Sequence, residues 1–241
     1  MMKRFLKKYL SLPIGFLLWW RHMCKHYVAI RRKKRYGHCG EHVILEPPIL
    51  FTDQSKVFLE DHVKIRQGFR LINYTGTFTL RKYSTIAMNC TVVTGNHRPT
   101  VGIPQIISGG AHINDQETDI VVEEGVWIGI NVTLLAGAHI GRGAIVGACS
   151  LVNKPIPPYA VAVGSPARVI ASVFTIEQIL EHERRLYPEQ ERFSREALEQ
   201  LFTTHFEGKK SIGLTFISDE DRMKIASIAE AMHMEYYDVA R

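Results

Sequence analysis

The sequence predicts an all-β solenoid with helical segments at both ends. The main observation is a six-residue repeat over residues 122–152. Its first apolar position is held by Val122, Ile128, Leu134, Ile140, Val146 and Val152, and four residues after each of the first five comes Val126, Val132, Ala138, Ala144 or Ser150. A period of six fits neither an α-helix nor an alternating strand. It fits short strands that meet at tight corners and stack coil upon coil.

The repeat extends upstream in weaker form. Residues 40–64 show it only in degraded form, and it then becomes clear at Leu59, Ile65 and Leu71. After a three-residue offset, which we interpret as a small bulge at residues 75–79, it resumes at Leu80, Ile86 and Val92. Residues 97–119 break the pattern, and the period then returns in phase. A long irregular segment inside a solenoid predicts a loop directed outward, where function is often located.

After Ile170 the apolar spacing becomes helical. Thr175 with Gln178, and Ser218 with Asp221, have the spacing of N-terminal caps. The sequence therefore predicts helices at residues 175–187, 194–206 and 218–233. The expected organisation is an N-terminal helical segment (1–39), a β-solenoid domain (40–172) and a C-terminal helical extension (173–241).

The positive charge is concentrated at the N-terminus. Eleven of the 30 Lys and Arg residues precede Glu41, and no Asp or Glu does, which leaves 19 basic against 24 acidic residues in the remainder. A basic leader on an acidic body argues against nucleic acid binding by the body and for an anionic partner at the leader. The four cysteines have no metal-ligand spacing, and free thiols favour a cytoplasmic location.

Residues 5–20 form an apolar run with basic residues on both sides. No small-residue cleavage site follows it, which argues against a signal peptide. The uncharged part, residues 9–20, is shorter than the roughly 20 residues needed to span a bilayer. Two interpretations stay open: residues 1–35 contact the inner membrane face as a peripheral anchor, or the segment caps the open end of the solenoid.

The repeat and its continuation NKPIPPYAVAVGSPARVI resemble the hexapeptide-repeat acyltransferases, in the O-acetyltransferase branch that acts on galactosides, maltose and surface polysaccharides. The resemblance is strong over residues 80–170 and weaker over residues 40–79. It implies a left-handed parallel β-helix, acetyl-coenzyme A as acyl donor without a metal, and a homotrimer with active sites between subunits. The expected acceptor is a saccharide or another small molecule with a hydroxyl or amine group.

The resemblance also implies a set of site residues. His97, in TGNHRP, matches the histidine that acts as general base, and Asn96 is its expected orienting neighbour. Trp127 and Asn73 match acceptor-binding positions. The residues that match the coenzyme A groove and its phosphate-binding end are Ile130, Ala148, Asn153, Lys154 and Arg168.

His112 and His139 raise the alternative of a zinc site like that of the β-helical carbonic anhydrases. The closely spaced HxxxxH pair of that class is missing from the sequence, so we expect no metal. A non-catalytic assembly scaffold is the other alternative. Trp127, Ile130 and Leu135 are expected to point outward, and their burial would favour the trimer.

Overall fold

The computed structural model describes residues 14–21 and 23–234. Its centre consists of three β-sheets whose strands are almost all parallel. The first sheet contains β1 (His38–Cys39), β4 (Val57–Leu59), β7 (Phe78–Leu80), β12 (Ile120–Val122) and β15 (His139–Ile140). The second contains β2 (Ile44–Leu45), β5 (Lys64–Ile65), β8 (Thr85–Ile86), β13 (Trp127–Ile128), β16 (Ile145–Val146), β18 (Ala160–Val163) and β19 (Arg168–Ser172). The third contains β3 (Leu50–Phe51), β6 (Arg70–Ile72), β9 (Thr91–Val93), β14 (Thr133–Leu135) and β17 (Leu151–Val152).

The chain visits the three sheets in turn. Each round of three strands is one coil, and five coils lie between β1 and β17. After the fifth coil, β18 extends the second sheet in parallel and β19 pairs with it in antiparallel orientation.

The register places like residues over like. Ile65 pairs with Ile86 and Ile86 with Ile128 in the second sheet, and all three are fully buried. The predicted inward positions of residues 122–152 are likewise buried, including Ser150 at 1% exposure. Stacked branched side chains therefore fill the interior, as the six-residue period predicts.

The corners between strands are formed both by glycine and by non-glycine residues with positive φ. Gly125 and Gly143 adopt positive φ, but so do Asn89, Asn131 and Cys149 at stacked corners, so glycine is not required for the turn itself. Gly129 has another role: a Cβ there would lie 2.7 Å from the backbone nitrogen of Ala148 in the next coil. Cys149 at such a corner is exposed, whereas Cys90 is buried.

The weak sequence pattern of residues 40–64 conceals regular structure. β1, β2 and β3 form a complete first coil paired in parallel with the second. The pattern is degraded because the end coil is only partly covered: Cys39, Val43 and Leu45 are half-buried rather than enclosed.

The segment expected to be a loop has its own structure. β10 (Gly95–Asn96) and β11 (Gln116–Glu117) form an antiparallel pair, and a short helix, Gln105–Ala111, lies between them. We call residues 95–117 the loop hairpin and Gln105–Ala111 the loop helix. The loop hairpin leaves the edge where the third sheet passes the chain to the first.

The three helices predicted for the tail are present as Ile176–Leu186, Arg195–His205 and Asp219–Ala231. Thr175 and Gln178 form the expected capping box, and the Ser218 side chain accepts from the Asp221 N–H. The first two tail helices enclose a second core with the last strands; its buried members are Tyr159, Val161, Ala171, Val173, Ile179 and Leu198.

Hydrogen bonds tie this second core to the fifth coil. Glu183 is 1% exposed and accepts hydrogen bonds from the Tyr159 hydroxyl at 2.8 Å and the Phe193 N–H at 2.6 Å. Arg142 donates to both Glu124 and Glu183, so the buried carboxylate has a cationic partner.

Short 3₁₀ or π segments occur at Cys24–Val28, Ala29–Arg31, Lys33–Arg35, Gln54–Lys56 and Glu189–Glu191.

At the N-terminal end, residues 14–21 are helical, while residues 1–13, which hold part of the predicted leader segment, lie outside the described residues. None of the helices described is long and apolar enough to cross a membrane.

Candidate active site at the loop hairpin

The loop hairpin brings two histidines and one carboxylate together. Asp115 Oδ1 lies 2.8 Å from His97 Nδ1, and Asp115 Oδ2 lies 2.8 Å from His112 Nδ1. The two imidazole centroids are 5.7 Å apart. His97 follows β10, His112 ends the loop helix and Asp115 precedes β11, so the antiparallel pairing of β10 and β11 sets this geometry.

The hydrogen bonds assign the tautomer of both rings. The side-chain hydrogen bonds from His97 and His112 hold the pKa of the Asp115 carboxyl below its usual range. An ionised carboxylate only accepts, so both Nδ1 atoms must donate. In a neutral imidazole, Nε2 then carries the lone pair and can accept a proton.

His97 is accessible at this position. Its side chain is 53% exposed, whereas that of Asp115 is only 19% exposed. Beside its reactive edge lies the loop helix, where a Cβ added at Gly109 would be 4.0 Å from His97 Nε2. Tyr74 covers the other histidine, with 5.1 Å between the Tyr74 and His112 ring centroids. His97 is therefore an accessible imidazole whose orientation is held by a hydrogen bond.

Glu117 fastens the base of the loop hairpin to the preceding coil. Its carboxylate accepts from the backbone N–H groups of Tyr74, Thr75 and Gly76 and from the Thr94 hydroxyl. Burial raises the pKa of Glu117, but these hydrogen bonds outweigh it, and the pKa lies below its ordinary value. A charged Glu117 therefore stabilises the hairpin in its observed position.

Two sequence predictions near His97 do not fit the structure. Asn96 was expected to orient His97, but it pairs through its backbone with Gln116, and Asp115 holds the ring. Asn73 was expected to contact the acceptor, but its side chain is fully buried. The Asn73 amide donates to the Asp53 carbonyl at 3.0 Å and accepts from the Asp53 N–H at 3.1 Å, so it joins adjacent coils.

The residues predicted to bind coenzyme A lie at two edges of the third sheet. Ile130 and Ala148 are in stacked corners where the second sheet passes to the third, and the Cys149 N–H donates to the Ile130 carbonyl. Exposed Arg168 begins β19 beside this column. Exposed Asn153 and Lys154 follow β17 at the opposite edge, the edge that also bears the loop hairpin.

Trp127 is 56% exposed and starts β13 in the second sheet. His97 lies where the third sheet passes to the first, so the two residues belong to different faces of the coil. A single chain therefore does not bring all the predicted site residues together.

His97, His112 and Asp115 also meet the spacing of a metal site, since one ligand atom from each lies within 4.8 Å of the others. A cation would have to displace the two hydrogen bonds that Asp115 now accepts. Glu123 accepts a separate hydrogen bond from His139 at 2.8 Å, outside this group.

Residues 119–154 match the family model described as bacterial transferase hexapeptide (six repeats). Over these residues the chain carries the hexapeptide repeat of bacterial transferases. The matched residues cover β12 to β17, the fourth and fifth coils, which carry the clearest repeat.

Relatives extend the similarity beyond this segment. The chain is 30% identical over 138 residues to a galactoside O-acetyltransferase of Lactococcus lactis, covering 57% of this chain and 63% of the relative. It is 31% identical over 132 residues to a putative colanic acid biosynthesis acetyltransferase of Escherichia coli, covering 54% of this chain and 66% of the relative. The chain thus spans slightly less than two thirds of either relative.

A solved hexapeptide-repeat acetyltransferase from Vibrio cholerae has a similar fold, with a TM-score of 0.54 and 25% identity over 59% of this chain and 77% of that one. A structure of the same protein with acetyl-coenzyme A superimposes with a TM-score of 0.55 at 24% identity, over 64% of this chain and 82% of that one.

His97 is a predicted site residue, whereas Asp115, its hydrogen-bond partner, was not predicted. The signal was present as HIND at residues 112–115, a histidine and an aspartate three positions apart. Only the antiparallel pairing of β10 with β11 shows that this carboxylate faces His97, 18 residues away.

Proposed function

We propose that this chain is a hexapeptide-repeat acetyltransferase that transfers an acetyl group from acetyl-coenzyme A to a hydroxyl or amine group of a sugar or polysaccharide precursor. The observation that carries the proposal is the exposed His97, held through Nδ1 by a carboxylate. The names of the relatives, which include galactoside and colanic acid acetyltransferases, support the reaction and the acceptor class.

The chemistry follows from the tautomer. His97 Nε2 takes the proton of the acceptor hydroxyl as its oxygen attacks the thioester carbonyl. Asp115 stabilises the imidazolium that forms, and a backbone N–H stabilises the oxyanion. The thiolate of coenzyme A then leaves, and His97 returns the proton to it. This direct transfer needs no covalent acyl-enzyme.

The proposed cofactor site uses the stacked corners at Ile130 and Ala148. The missing side chain at Gly129 lets neighbouring coils approach closely there, which leaves backbone groups accessible to a pantetheine arm. Arg168, Lys154 and Asn153 are exposed and offer donors for phosphate groups.

We further infer that the coils wind as a left-handed parallel β-helix and assemble as a homotrimer. The likeness to the Vibrio cholerae acetyltransferase supports the fold. The placement of His97 and Trp127 on different faces supports a site shared between subunits, with exposed Trp127 at the interface. Ile130 and Leu135 are only half-buried within one chain, which agrees with the outward direction predicted for them.

A zinc-dependent, carbonic-anhydrase-like reaction is the second candidate, because His97, His112 and Asp115 have metal-ligand spacing. The two candidates differ in their response to chelation. Acetyl transfer by general base catalysis is expected to persist in EDTA, whereas a zinc hydroxide mechanism would stop.

The decisive experiment is acetyl transfer to a panel of sugars, followed by mass spectrometry, for the wild type and His97→Ala. The variant should keep its fold and bind coenzyme A, but lose about 10² to 10⁴ in turnover, the usual contribution of a positioned base. Turnover close to wild type would exclude His97 as the base. A wild type inactive on every acceptor would favour a scaffold.

A further inference from the structure

The helix at residues 14–21 presents apolar side chains to solvent on all sides. Ile14, Phe16, Leu17, Leu18, Trp19 and Trp20 are each between 54% and 65% exposed. Five consecutive residues at 100° per residue cover the whole circumference of a helix. The helix therefore does not pack one face against the coils, and a contiguous apolar surface of this kind marks an interaction site.

The end of the solenoid is covered by other residues. Ile30 and Tyr36 are 2% and 8% exposed, and the Tyr36 hydroxyl donates to the Ile30 carbonyl at 2.6 Å. The Tyr36 ring meets Phe51 of the first coil edge to face, with 5.7 Å between centroids. Residues 30–36 thus provide the cap, and the helix at residues 14–21 is left for another role.

Cationic groups converge beside this helix. Arg21, Arg32 and Arg35 line a cavity of about 360 Å³ between the N-terminal segment and the first coil. Its other lining residues are Cys24, Val28, Ile30, Phe51, Thr52 and Gln54, so no carboxylate lines it within the described part of the chain. Guanidinium groups bind phosphate oxygens in bidentate fashion.

The adjacent basic residues are also exposed. Arg31, Arg32, Lys34 and Arg35 all face solvent, and Lys33 pairs with Glu41 at 3.0 Å. An apolar helix with two tryptophans, next to a group of arginines, has the composition of a segment that lies in a membrane interface. A second copy of this chain is a poorer partner, because a symmetric contact would bring the two arginine groups together.

We propose that residues 14–35 dock the protein on a bilayer surface rich in anionic phospholipid. The helix at residues 14–21 inserts its apolar side chains at the level of the headgroups. Arg21, Arg32 and Arg35 bind lipid phosphates from the cavity beside it. This inference does not depend on the acetyl transfer proposed above.

The test is co-sedimentation of the full chain with phosphatidylcholine vesicles, with and without phosphatidylglycerol. The wild type should bind the anionic vesicles, and salt should weaken binding by screening. Arg32→Gln/Arg35→Gln should lower the partition coefficient about tenfold to thirtyfold, from the loss of two cations near the surface. Trp19→Ser/Trp20→Ser should abolish most of the binding that persists at high salt.

The matched control is Lys209→Gln/Lys210→Gln, which removes two exposed cations from the tail. It should bind as the wild type does, and circular dichroism verifies the folding of all variants. Equal losses in the control and in Arg32→Gln/Arg35→Gln would overturn the proposal, as would equal wild-type binding to neutral and anionic vesicles. Self-association without vesicle binding, if abolished by Trp19→Ser/Trp20→Ser, would assign the helix to a second copy instead.

Discussion

In the proposed reaction, Asp115 takes no direct part in bond making, but it fixes which nitrogen of His97 is free to act as the base. It is a positioning residue, because it accepts from Nδ1 and leaves Nε2 to the acceptor. An amide at this position has the same size but can present its NH₂ to the ring and favour the other tautomer.

We expect Asp115→Asn to lower kcat by about 10²- to 10⁴-fold, because an amide that favours the wrong tautomer removes the lone pair from Nε2. The acid limb of the pH–rate profile should move to lower pH, because an amide stabilises an imidazolium less than a carboxylate does. Stopped assays across the pH range measure both effects.

His112 provides the control, since it shares Asp115 with His97. His112→Gln should lower kcat far less than His97→Ala does and leave the pH profile in place, because His112 is not the proposed base. A loss as large as that of His97→Ala would make His112 the base.

At the scale of a structural element, the stability of the loop hairpin can be tested through its dependence on pH. The charged form of Glu117 stabilises it, and the pKa of this group is depressed in the folded state. Its contribution is therefore fully present above the ordinary carboxyl pKa of about 4.3 and is lost as the pH falls through the folded value.

We predict that amide hydrogen exchange in residues 95–117, corrected for intrinsic rates, is constant above about pH 5 and rises below about pH 4. In Glu117→Gln, the amides of residues 95–117 should exchange quickly at every pH, and the rise at low pH should be absent. Asp119→Asn removes the charge of the carboxylate that accepts from the Thr77 N–H, and this variant should keep the step. A step unchanged in Glu117→Gln would assign the titration to another group.

Gly109 leaves space beside the reactive nitrogen, and its neighbour Gly110 faces open space. Gly109→Leu should lower kcat/KM for the acceptor by about tenfold or more, because it fills the approach to Nε2. Gly110→Leu should stay within about twofold of wild type. Neither should reduce stability, because leucine favours a helix over glycine by about 0.8 kcal/mol. Equal effects would show that the acceptor approaches elsewhere.

The period of six was sufficient to predict the coils because each interior position is repeated and its neighbours are local in the stack. It is weakest in the first coil, where partial cover relaxes the demand for apolar residues. The tail helices were predictable from their caps, which are local hydrogen bonds.

The pairing of side chains at the candidate site was not predictable in the same way. His97 and Asp115 are 18 residues apart, and no repeat relates them. The sequence does not distinguish an Asn that faces solvent from one that hydrogen-bonds to a neighbouring coil, as Asn73 does to the Asp53 carbonyl.

At the scale of the whole molecule, the proposed site is complete only across two subunits. Variants of His97 and of Trp127 should then restore activity when they are mixed in one assembly. We predict that His97→Ala and Trp127→Ala, each nearly inactive alone, regain about a quarter of wild-type activity when co-expressed or refolded together, since about one site in four then receives both intact residues.

The control is a mixture of His97→Ala with the Asp115→Asn variant. Both lesions lie in the same loop hairpin, so they cannot complement across subunits. No recovery in the first mixture, with mixed assemblies confirmed by native mass spectrometry, would place the whole site within one chain.

The covered C-terminal end has a consequence for how the molecule can change in size. A stack of parallel strands normally ends in an unpaired edge onto which another chain can add. Here β19 and the first two tail helices close that end, and Glu183 ties them to the fifth coil. Adding strands at that end would break a buried ion pair. An extra coil inserted after β14 would instead leave the strands on both sides of it paired. Such an insertion would lengthen each sheet by one strand spacing, about 4.8 Å, and carry the tail along with it. Molecular length in this chain is therefore adjustable in whole coils from within, while His97 and its carboxylate stay where they are.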